Sequence, residues 1–294
     1  MSLIRYLHHP GQIVRKMHWA TIQSRREPVE MTADTWNGRL TFNSSDSLIG
    51  KFLYVRQSYE QHYITQVIEY LDRAGLRDPR RDVVLDVGAN IGMIAIALVK
   101  HGWFKQAIAF EPEPYNFGLL SRNVRQNGYE QAIACRQLAL SSTSGDLDLV
   151  LNEGNLGGHF IPQTDGAVAA APATSASVRI QTVTCDEILA SDFSHLIDRI
   201  GLVWMDIEGH EGFFFQGAEK TLSHNIPVVS EFYPRAIARS GMSREAYIER
   251  VSSLFTHVCT LDNGRFVEQP IDAVGDLLTA YYEPGATNVI YLRR

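Results

Sequence analysis

The sequence has few cysteines, no CxxC pair and no long apolar run, and these absences exclude several classes of protein. Its three cysteines lie far apart in a chain of 294 residues, which excludes a disulfide framework and a thiol zinc site. This cysteine usage favours a reducing compartment, and we expect the cytoplasm. The longest apolar run, residues 93–99, is much shorter than the roughly 20 residues of a membrane-spanning helix. We therefore expect no transmembrane segment.

The chain also has no excess of basic residues, because its 27 Lys and Arg and 33 Asp and Glu give a formal net charge of −6. A chain without an excess of basic residues lacks the electrostatic character of a nucleic-acid-binding protein, so we expect no nucleic-acid partner. Residues 1–19 mix apolar and basic side chains without the continuous apolar stretch of a signal peptide. We expect a helix docked on its own domain, with a membrane-surface segment as the alternative.

Apolar runs of strand length alternate with helical patterns after residue 80, and this alternation predicts the fold class. Residues 1–80 are expected to form a lead-in of helices and short strands that pack on the core, and residues 81–294 the main domain. Because helical patterns separate the runs, the sequence predicts an α/β fold with a doubly wound, mostly parallel sheet. The expected strands of this sheet are residues 83–87, 107–110, 202–205 and 227–230, which read as buried on both faces, together with residues 132–140 and 289–292.

One stretch of small residues differs from the rest of the chain. Residues 162–177, PQTDGAVAAAPATSAS, have little to bury and carry one charge. We interpret them as part of a loop or lid over about residues 152–177, with a passive insertion as the alternative. The glycines at 154–158 precede this stretch. They would cover a ligand or present His159 to it, or else they end a hairpin.

The first apolar run ends in a glycine-containing turn that is typical of nucleoside-binding sites. Asp86 lies in that run, and Gly88, Asn90 and Gly92 follow in the pattern DxGxNxG. Glycine removes the Cβ that would keep a ligand away from the backbone. Glu111 follows the next apolar run and is placed to bind a ribose diol through two charge-assisted hydrogen bonds. The alternative is a structural strand–helix turn that a buried Asp86 caps.

The spacing of this turn argues against a dinucleotide. A GxGxxG fingerprint that starts at Gly88 would require glycine where the chain has Asn90 and Met93. An acidic residue before the glycines repels a pyrophosphate, whereas it suits a cationic ligand. S-adenosylmethionine has an ammonium, a sulfonium, a ribose diol and no phosphate. It fits the turn better and is the expected cofactor.

A second group of functional residues follows another apolar run, in the segment MDIEGHE. Asp206 ends that run, and Glu208, His210 and Glu211 lie at or before the start of a helix. Glu231 follows the next run and should reach the same edge of the sheet, where open α/β sheets bind their ligands. Acids at a helix N-terminus also stabilise its dipole, but that role does not account for Asp206 together with Glu231. We therefore predict a catalytic site.

In combination these segments resemble the FkbM family of S-adenosylmethionine-dependent methyltransferases. The likeness extends from about residue 59 to residue 234 and rests on VVLDVGANIG, AFEPEPYNFGLLSRNV, QLALSS, MDIEGHE and VVSEF. It implies the class I methyltransferase fold, a Rossmann-like seven-stranded sheet whose last strand is antiparallel. It also implies methyl transfer to a hydroxyl of a small biosynthetic molecule, such as a sugar or a polyketide. The residues that it assigns to the cofactor are Asp86, Gly88, Asn90, Gly92, Glu111, Ala139 and Ser141.

The predicted catalytic residues are Asp206, Glu208, His210 and Glu231, and their individual roles stay open. A hydroxyl is a weak nucleophile, so a general base helps its attack. His210 has a suitable ordinary pKa, and Asp206 is its rival. A Mg²⁺ ion held by carboxylates could instead lower the pKa of the hydroxyl. No residue spacing demands a metal, and no metal ligand is predicted.

Other activities and partners stay open at this point. An N-methyltransferase that acts on a small amine would need no strong base. An NAD-dependent oxidoreductase is less favoured because the dinucleotide fingerprint is incomplete. A non-catalytic nucleoside-binding module would have no need of the acidic residues. We expect a small-molecule acceptor as the partner, and a homodimer is neither indicated nor excluded.

Overall fold

The computed structural model describes residues 10–152, 154–162 and 176–294. Most of the alanine-rich stretch that was predicted as a loop, residues 163–175, lies outside the described residues. Within the described ranges, no helix has the length and apolar character needed to cross a membrane.

The described residues form strands and helices that largely alternate along the chain. The strands are β1 Glu30–Asp34, β2 Arg39–Asn43, β3 Val83–Val87, β4 Gln106–Phe110, β5 Ile133–Arg136, β6 Ala139–Leu140, β7 Gly145–Val150, β8 Ser177–Val183, β9 Ile200–Met205, β10 Val228–Phe232, β11 His257–Asp262, β12 Arg265–Pro270 and β13 Thr287–Leu292. The α-helices are α1 Pro10–Gln23, α2 Ile49–Arg56, α3 Gln61–Arg73, α4 Met93–Lys100, α5 Pro114–Gln126, α6 Cys185–Asp192, α7 Glu211–Gly217, α8 Glu219–Leu222, α9 Pro234–Arg239, α10 Arg244–Leu254 and α11 Val274–Ala280.

The predicted doubly wound, mostly parallel α/β sheet is confirmed. In spatial order the central sheet is β12, β11, β13, β10, β9, β3, β4 and β5. The strands from β10 to β5 are parallel, and the last strand in the chain, β13, runs antiparallel between β10 and β11. An eighth strand, β12, was not predicted. It pairs with β11 because Asn263 and Gly264, with φ of 46° and 77°, form a tight hairpin turn.

The prediction of one strand over residues 132–140 is wrong, because this segment divides between two sheets. β5 belongs to the central sheet, whereas β6 pairs with β8 in a small sheet of order β6, β8 and β7. Gln137 and Leu138 lie between them outside any strand. An apolar run read from sequence does not show where the chain leaves one sheet for another.

The lead-in packs against the main domain and shares one of its apolar cores. Trp19 and Phe42 are buried in the same cluster as residues of β3, α4 and α5. A polar link holds the two parts together at the buried Asn123. The Asn123 side chain accepts a hydrogen bond from the Thr41 amide at 2.7 Å and donates to the carbonyl oxygens of Thr41 and Ile91. The lead-in is therefore fixed beside the glycine turn.

Candidate active site

The glycine turn after β3 lies against the end of β9. Gly88 has φ +80°, and a Cβ at this position would overlap the backbone carbonyl oxygen of Asp206. The amides of Gly88 and Ala89 both donate to the carbonyl oxygen of Phe110, at 3.0 and 2.9 Å. Residue 88 must therefore be glycine for two reasons, the close approach of β9 and the left-handed backbone.

Asn90 and Gly92 have different positions in this turn. The Asn90 amide donates to the Glu111 carboxyl at 2.9 Å, and its side chain donates to the Leu156 carbonyl oxygen at 3.1 Å. Gly92 has φ +90°, and a Cβ there would lie 2.8 Å from Cδ1 of Leu120. Asn90 therefore faces the cavity described below, whereas Gly92 allows the turn to pack against α5.

Two carboxyl groups of the turn are buried and hydrogen-bonded to backbone amides. Asp86 accepts from the amide of Ala95 at 2.9 Å. Glu111 accepts from Asn90 and Glu113, one amide on each oxygen, both at 2.9 Å. Burial raises the pKa of Asp86 to about 7 and that of Glu111 to about 8, because the hydrogen bonds offset only part of the loss of hydration. Each Glu111 oxygen keeps a lone pair for a further donor.

Three carboxyl groups meet at the C-terminal ends of β9 and β10. Asp206, Glu208 and Glu231 bring carboxylate oxygens within 4.8 Å of one another. Burial and the charge of Asp206 raise the pKa of Glu231 far above its usual range, so Glu231 keeps its proton and donates to Asp206. Asp206 is exposed to the cavity, but the surrounding wall keeps bulk water from its carboxyl and raises its pKa to about 6, and the hydrogen bond from Glu231 limits the rise. These oxygens could bind a divalent cation such as Mg²⁺.

Glu208 has a strained backbone. Its φ of 54° is in the left-handed region, which costs a residue of this type roughly 1–3 kcal/mol and is typical of functional sites. Its carboxyl lies 3.6 Å from the guanidinium of Arg239, which in turn lies 3.7 Å from the ring centre of Phe160. Burial and the neighbouring Asp206 raise the pKa of Glu208 to about 8, against the opposing effect of Arg239.

His210 has surroundings unlike those of the acids. Its side chain is 5% exposed, its ring stacks on Phe213, and its Nε2 lies 2.9 Å from Oγ of Ser141. Burial lowers the pKa of His210 to about 4, because desolvation disfavours the imidazolium. Among the described residues, Nδ1 has no hydrogen-bond partner. Ser141 thus lies behind His210, whereas Ala139, the residue near it that the resemblance also assigns to the cofactor, lines the cavity.

Most of the predicted cofactor-binding and catalytic residues line one cavity at the C-terminal edge of the parallel strands. It measures about 1280 Å³ with its open mouth included. No Lys or Arg lines it within the described ranges. Its wall therefore favours a ligand with positive charge. Gly92 and Ser141 lie outside the wall, and the residues that the structure brings together on it are Asp86, Gly88, Asn90, Glu111, Ala139, Asp206, Glu208, His210 and Glu231.

Part of the cavity wall comes from the lead-in and was not predicted. Tyr59 and Glu60, just before α3, line the cavity. Glu60 has φ 48° and is exposed to the cavity, where the enclosing wall keeps bulk water from its carboxyl and, together with the charge of Asp206, raises its pKa to about 7. No periodicity or motif marks these two residues, and only the packing of the lead-in brings them to the site.

The described part of the glycine-rich loop lines the cavity beside the lead-in, where the Ser47 hydroxyl donates to the Gly154 carbonyl oxygen at 2.9 Å. Its Leu156 carbonyl oxygen accepts hydrogen bonds from the side-chain amides of Asn90 and Asn116, at 3.1 and 2.8 Å. His159 also lines the cavity, and burial lowers its pKa. The first of the two interpretations of this loop, a cover over the ligand, fits these positions.

The fold and the site define an α/β protein whose cavity suits a cationic nucleoside cofactor. The family model described as Methyltransferase FkbM domain matches residues 86–262, more than half of the chain. The chain therefore belongs to the FkbM methyltransferase family, and the resemblance in the sequence is confirmed. This membership identifies the domain as that of an S-adenosylmethionine-dependent methyltransferase.

Individual proteins similar to this chain share only a small part of its sequence. Methyltransferase sdnD of Sordaria araneosa is 29% identical over 111 residues, which are 38% of this chain and 39% of that protein. The match thus spans less than half of this relative. Precorrin-6y C5,15-methyltransferase of Geobacter metallireducens GS-15 is 10% identical, with a TM-score of 0.40 over 80% of this chain and 87% of that chain. An RNA methyltransferase of Salinibacter ruber, solved with S-adenosyl-L-homocysteine, is 16% identical, with a TM-score of 0.29 over 56% and 73%.

Proposed function

We propose that this protein transfers the methyl group of S-adenosylmethionine to a hydroxyl group of a small molecule, such as a sugar or a polyketide. The observation that carries the proposal is that most of the predicted cofactor-binding residues and all of the predicted catalytic residues line the same cavity. The residues around Gly88 would hold the cofactor, and the acids around Asp206 would act on the acceptor. Because Gly88 and Asp206 are in direct backbone contact, the two groups of residues serve one reaction centre.

The residues of the glycine turn fit S-adenosylmethionine. When bound, this cofactor supplies an electrophilic methyl carbon on a sulfonium. Glu111 offers one free lone pair on each oxygen, as two ribose hydroxyls require. Gly88 lines the cavity, although the place of its missing Cβ is taken by the β9 backbone, and Ala139 would contact the adenine. The acidic wall, which includes Asp86, suits the cofactor's cations and opposes the pyrophosphate of NAD.

Asp206 is the residue best suited to accept the hydroxyl proton. With a pKa of about 6 it is mostly ionised at neutral pH, and the proton on Glu231 holds it in position. The pKa of His210, about 4, makes its imidazole a weak base. Alignment of acceptor and cofactor can contribute up to roughly 7–11 kcal/mol, and a positioned base about 10²–10⁴-fold in rate.

An N-methyltransferase is the alternative, since it would use the same fold and cofactor. A neutral amine attacks unaided, so an ionised Asp206 would have no task in that reaction. Transfer from S-adenosylmethionine labelled with ¹³C in its methyl group, to hydroxyl- and amine-bearing small molecules, distinguishes the two. A methoxy carbon in the NMR spectrum of the product supports the proposal, and an N-methyl carbon overturns it.

With S-adenosylmethionine saturating at every pH, we expect kcat/KM for the acceptor to increase with pH up to about 6 and then to level off. Asp206 must be ionised to accept a proton, so the rate should fall about tenfold per pH unit below its pKa. Initial rates across about pH 4–8 measure this dependence. A midpoint near 4 would instead identify His210 as the base. Complete loss of activity with a chelator would show that a bound cation replaces the base.

We also expect the affinity for S-adenosylmethionine to increase between about pH 6 and pH 8. In the free protein the raised pKa values of Asp86 and Glu111 keep these groups partly protonated near neutral pH. A cationic ligand favours their ionised forms, so binding releases protons and is weaker at low pH. Titration calorimetry in two buffers of different ionisation enthalpy measures this release. S-adenosylhomocysteine, without the sulfonium charge, should release fewer protons. An affinity that decreases with pH would contradict the role of these acids.

A further inference from the structure

Helix α1 has apolar side chains on its solvent side as well as on its core side. Trp19 and Ile22 are buried against the lead-in, whereas Ile13, Val14 and Met17 are 40%, 67% and 69% exposed. These three exposed residues lie within about one helical turn of one another and are called the α1 face here. A surface helix normally has polar residues toward solvent, so the α1 face is available to a partner with an apolar component.

The part of the chain that contains the α1 face is rich in basic residues. Residues 10–26 and 47–59 contain six Lys and Arg and no Asp or Glu, although the whole chain has a net charge of −6. Hydrogen bonds from Arg15 to the Val55 carbonyl oxygen and between His18 and Tyr54 fix α1 to α2. These two packed helices and the residues next to them therefore carry an excess of positive charge, from Arg15, Lys16, Arg25, Arg26, Lys51 and Arg56.

We propose that the α1 face binds the surface of a lipid bilayer that contains anionic lipids. Helices of this kind insert apolar side chains at the boundary between headgroups and acyl chains, while their basic residues contact anionic headgroups. Both interpretations of the N-terminal segment then apply. α1 is docked on its own domain through Trp19 and Ile22, and its opposite side has the composition of a membrane-surface helix.

A second copy of this chain matches the α1 face less well. A two-fold dimer through this face would bring the same patch of both copies together. The basic residues of the two copies would then repel each other. An anionic bilayer offers negative charge and an apolar layer in one surface.

The α1 face belongs to a helix that packs on α2, and α2 begins at the cavity wall. Leu48 and Ile49, at the start of α2, line the cavity, and α1 packs directly on α2. A bilayer bound by the α1 face would therefore lie one helix away from the cavity wall. Bilayer binding is independent of the proposed methyl transfer, and its measurement requires no acceptor.

Co-sedimentation of the full chain with vesicles tests this proposal. We expect binding to phosphatidylcholine vesicles that contain phosphatidylglycerol, little binding to phosphatidylcholine alone, and release at about 1 M salt, where charges are screened within about 3 Å. Val14→Ser with Met17→Ser should weaken binding at least about tenfold. Arg25→Gln with Lys51→Gln should weaken it at low salt. The control, Val267→Ser with Tyr282→Ser, removes two apolar side chains outside the α1 face that are 42% and 46% exposed, and should bind as wild type.

Three results would overturn the proposal. The first is absence of binding to anionic vesicles, or equal binding to neutral ones. The second is a dimer in sedimentation equilibrium that the Val14→Ser, Met17→Ser variant dissociates, because the α1 face would then be a self-contact. The third is a clear fall in the Tm of this variant relative to the control, because the chain itself would then already cover these side chains.

Discussion

Asp206→Asn should lower the rate of methyl transfer by about 10²–10⁴-fold and leave cofactor affinity nearly unchanged. Asn has the shape of Asp, so the backbone contact between residue 206 and Gly88 is preserved. It cannot accept the hydroxyl proton, so the loss should appear in kcat and not in the dissociation constant of S-adenosylmethionine. Initial rates and calorimetric titration of the variant measure the two effects separately.

Two matched variants show whether this loss is specific to Asp206. Glu231→Gln should keep most of the activity, because Glu231 holds a proton and a Gln amide can also donate a hydrogen bond to Asp206. Asp198→Asn should have no effect, since the Asp198 side chain is 93% exposed and far from the chemistry. Full activity of Asp206→Asn, or a loss as large in Glu231→Gln, would contradict the assignment of the base.

Gly88→Ala should abolish cofactor binding and lower the free energy of unfolding by about 3–5 kcal/mol, if the variant folds at all. The added methyl group would overlap the carbonyl oxygen of Asp206, which directly follows β9 and is held by the pairing of β9 with β3. The Asp206 amide donates a hydrogen bond to the Val87 carbonyl oxygen at 3.0 Å, and this bond holds the end of β9 against β3. Thermal unfolding and calorimetric titration measure the two losses.

Gly128→Ala is the matched control for this substitution. Gly128 also has a left-handed backbone, with φ +74°, but a Cβ there would meet no atom within 4 Å. The change should cost only about 1 kcal/mol of conformational strain and leave cofactor binding intact. If Gly88→Ala costs no more than Gly128→Ala, the close approach of β3 and β9 is not what requires glycine at residue 88.

The main domain could be predicted from sequence because its signals are local. Strands such as β3 and β9 are buried on both faces and therefore read as near-continuous apolar runs. Parallel strands end at the same edge, so Asp206 and Glu231 could be assigned to one site. β11 and β12 were missed, although the Asn263-Gly264 pair between them is a strong hairpin signal.

The rest of the site depends on contacts between distant parts of the chain. Thr41 and Asn123, 82 residues apart, help to fix the lead-in that brings Tyr59 and Glu60 to the cavity. His210 appeared to be a suitable base from its ordinary pKa alone. Its burial beside Ser141, 69 residues away, lowers that pKa and could not be inferred from spacing.

Calorimetric titration of the purified protein with S-adenosylmethionine, and with NAD in parallel, tests the central claim most directly. A cavity with Glu111 placed for a ribose diol and an acidic wall without Lys or Arg among its described residues predicts saturable binding of S-adenosylmethionine and no binding of NAD. Glu111→Gln should weaken that binding by roughly 10–100-fold, and the exposed Glu130→Gln should not. Saturable binding of NAD, or S-adenosylmethionine binding that is unaffected by Glu111→Gln, would contradict the assignment of the cofactor site.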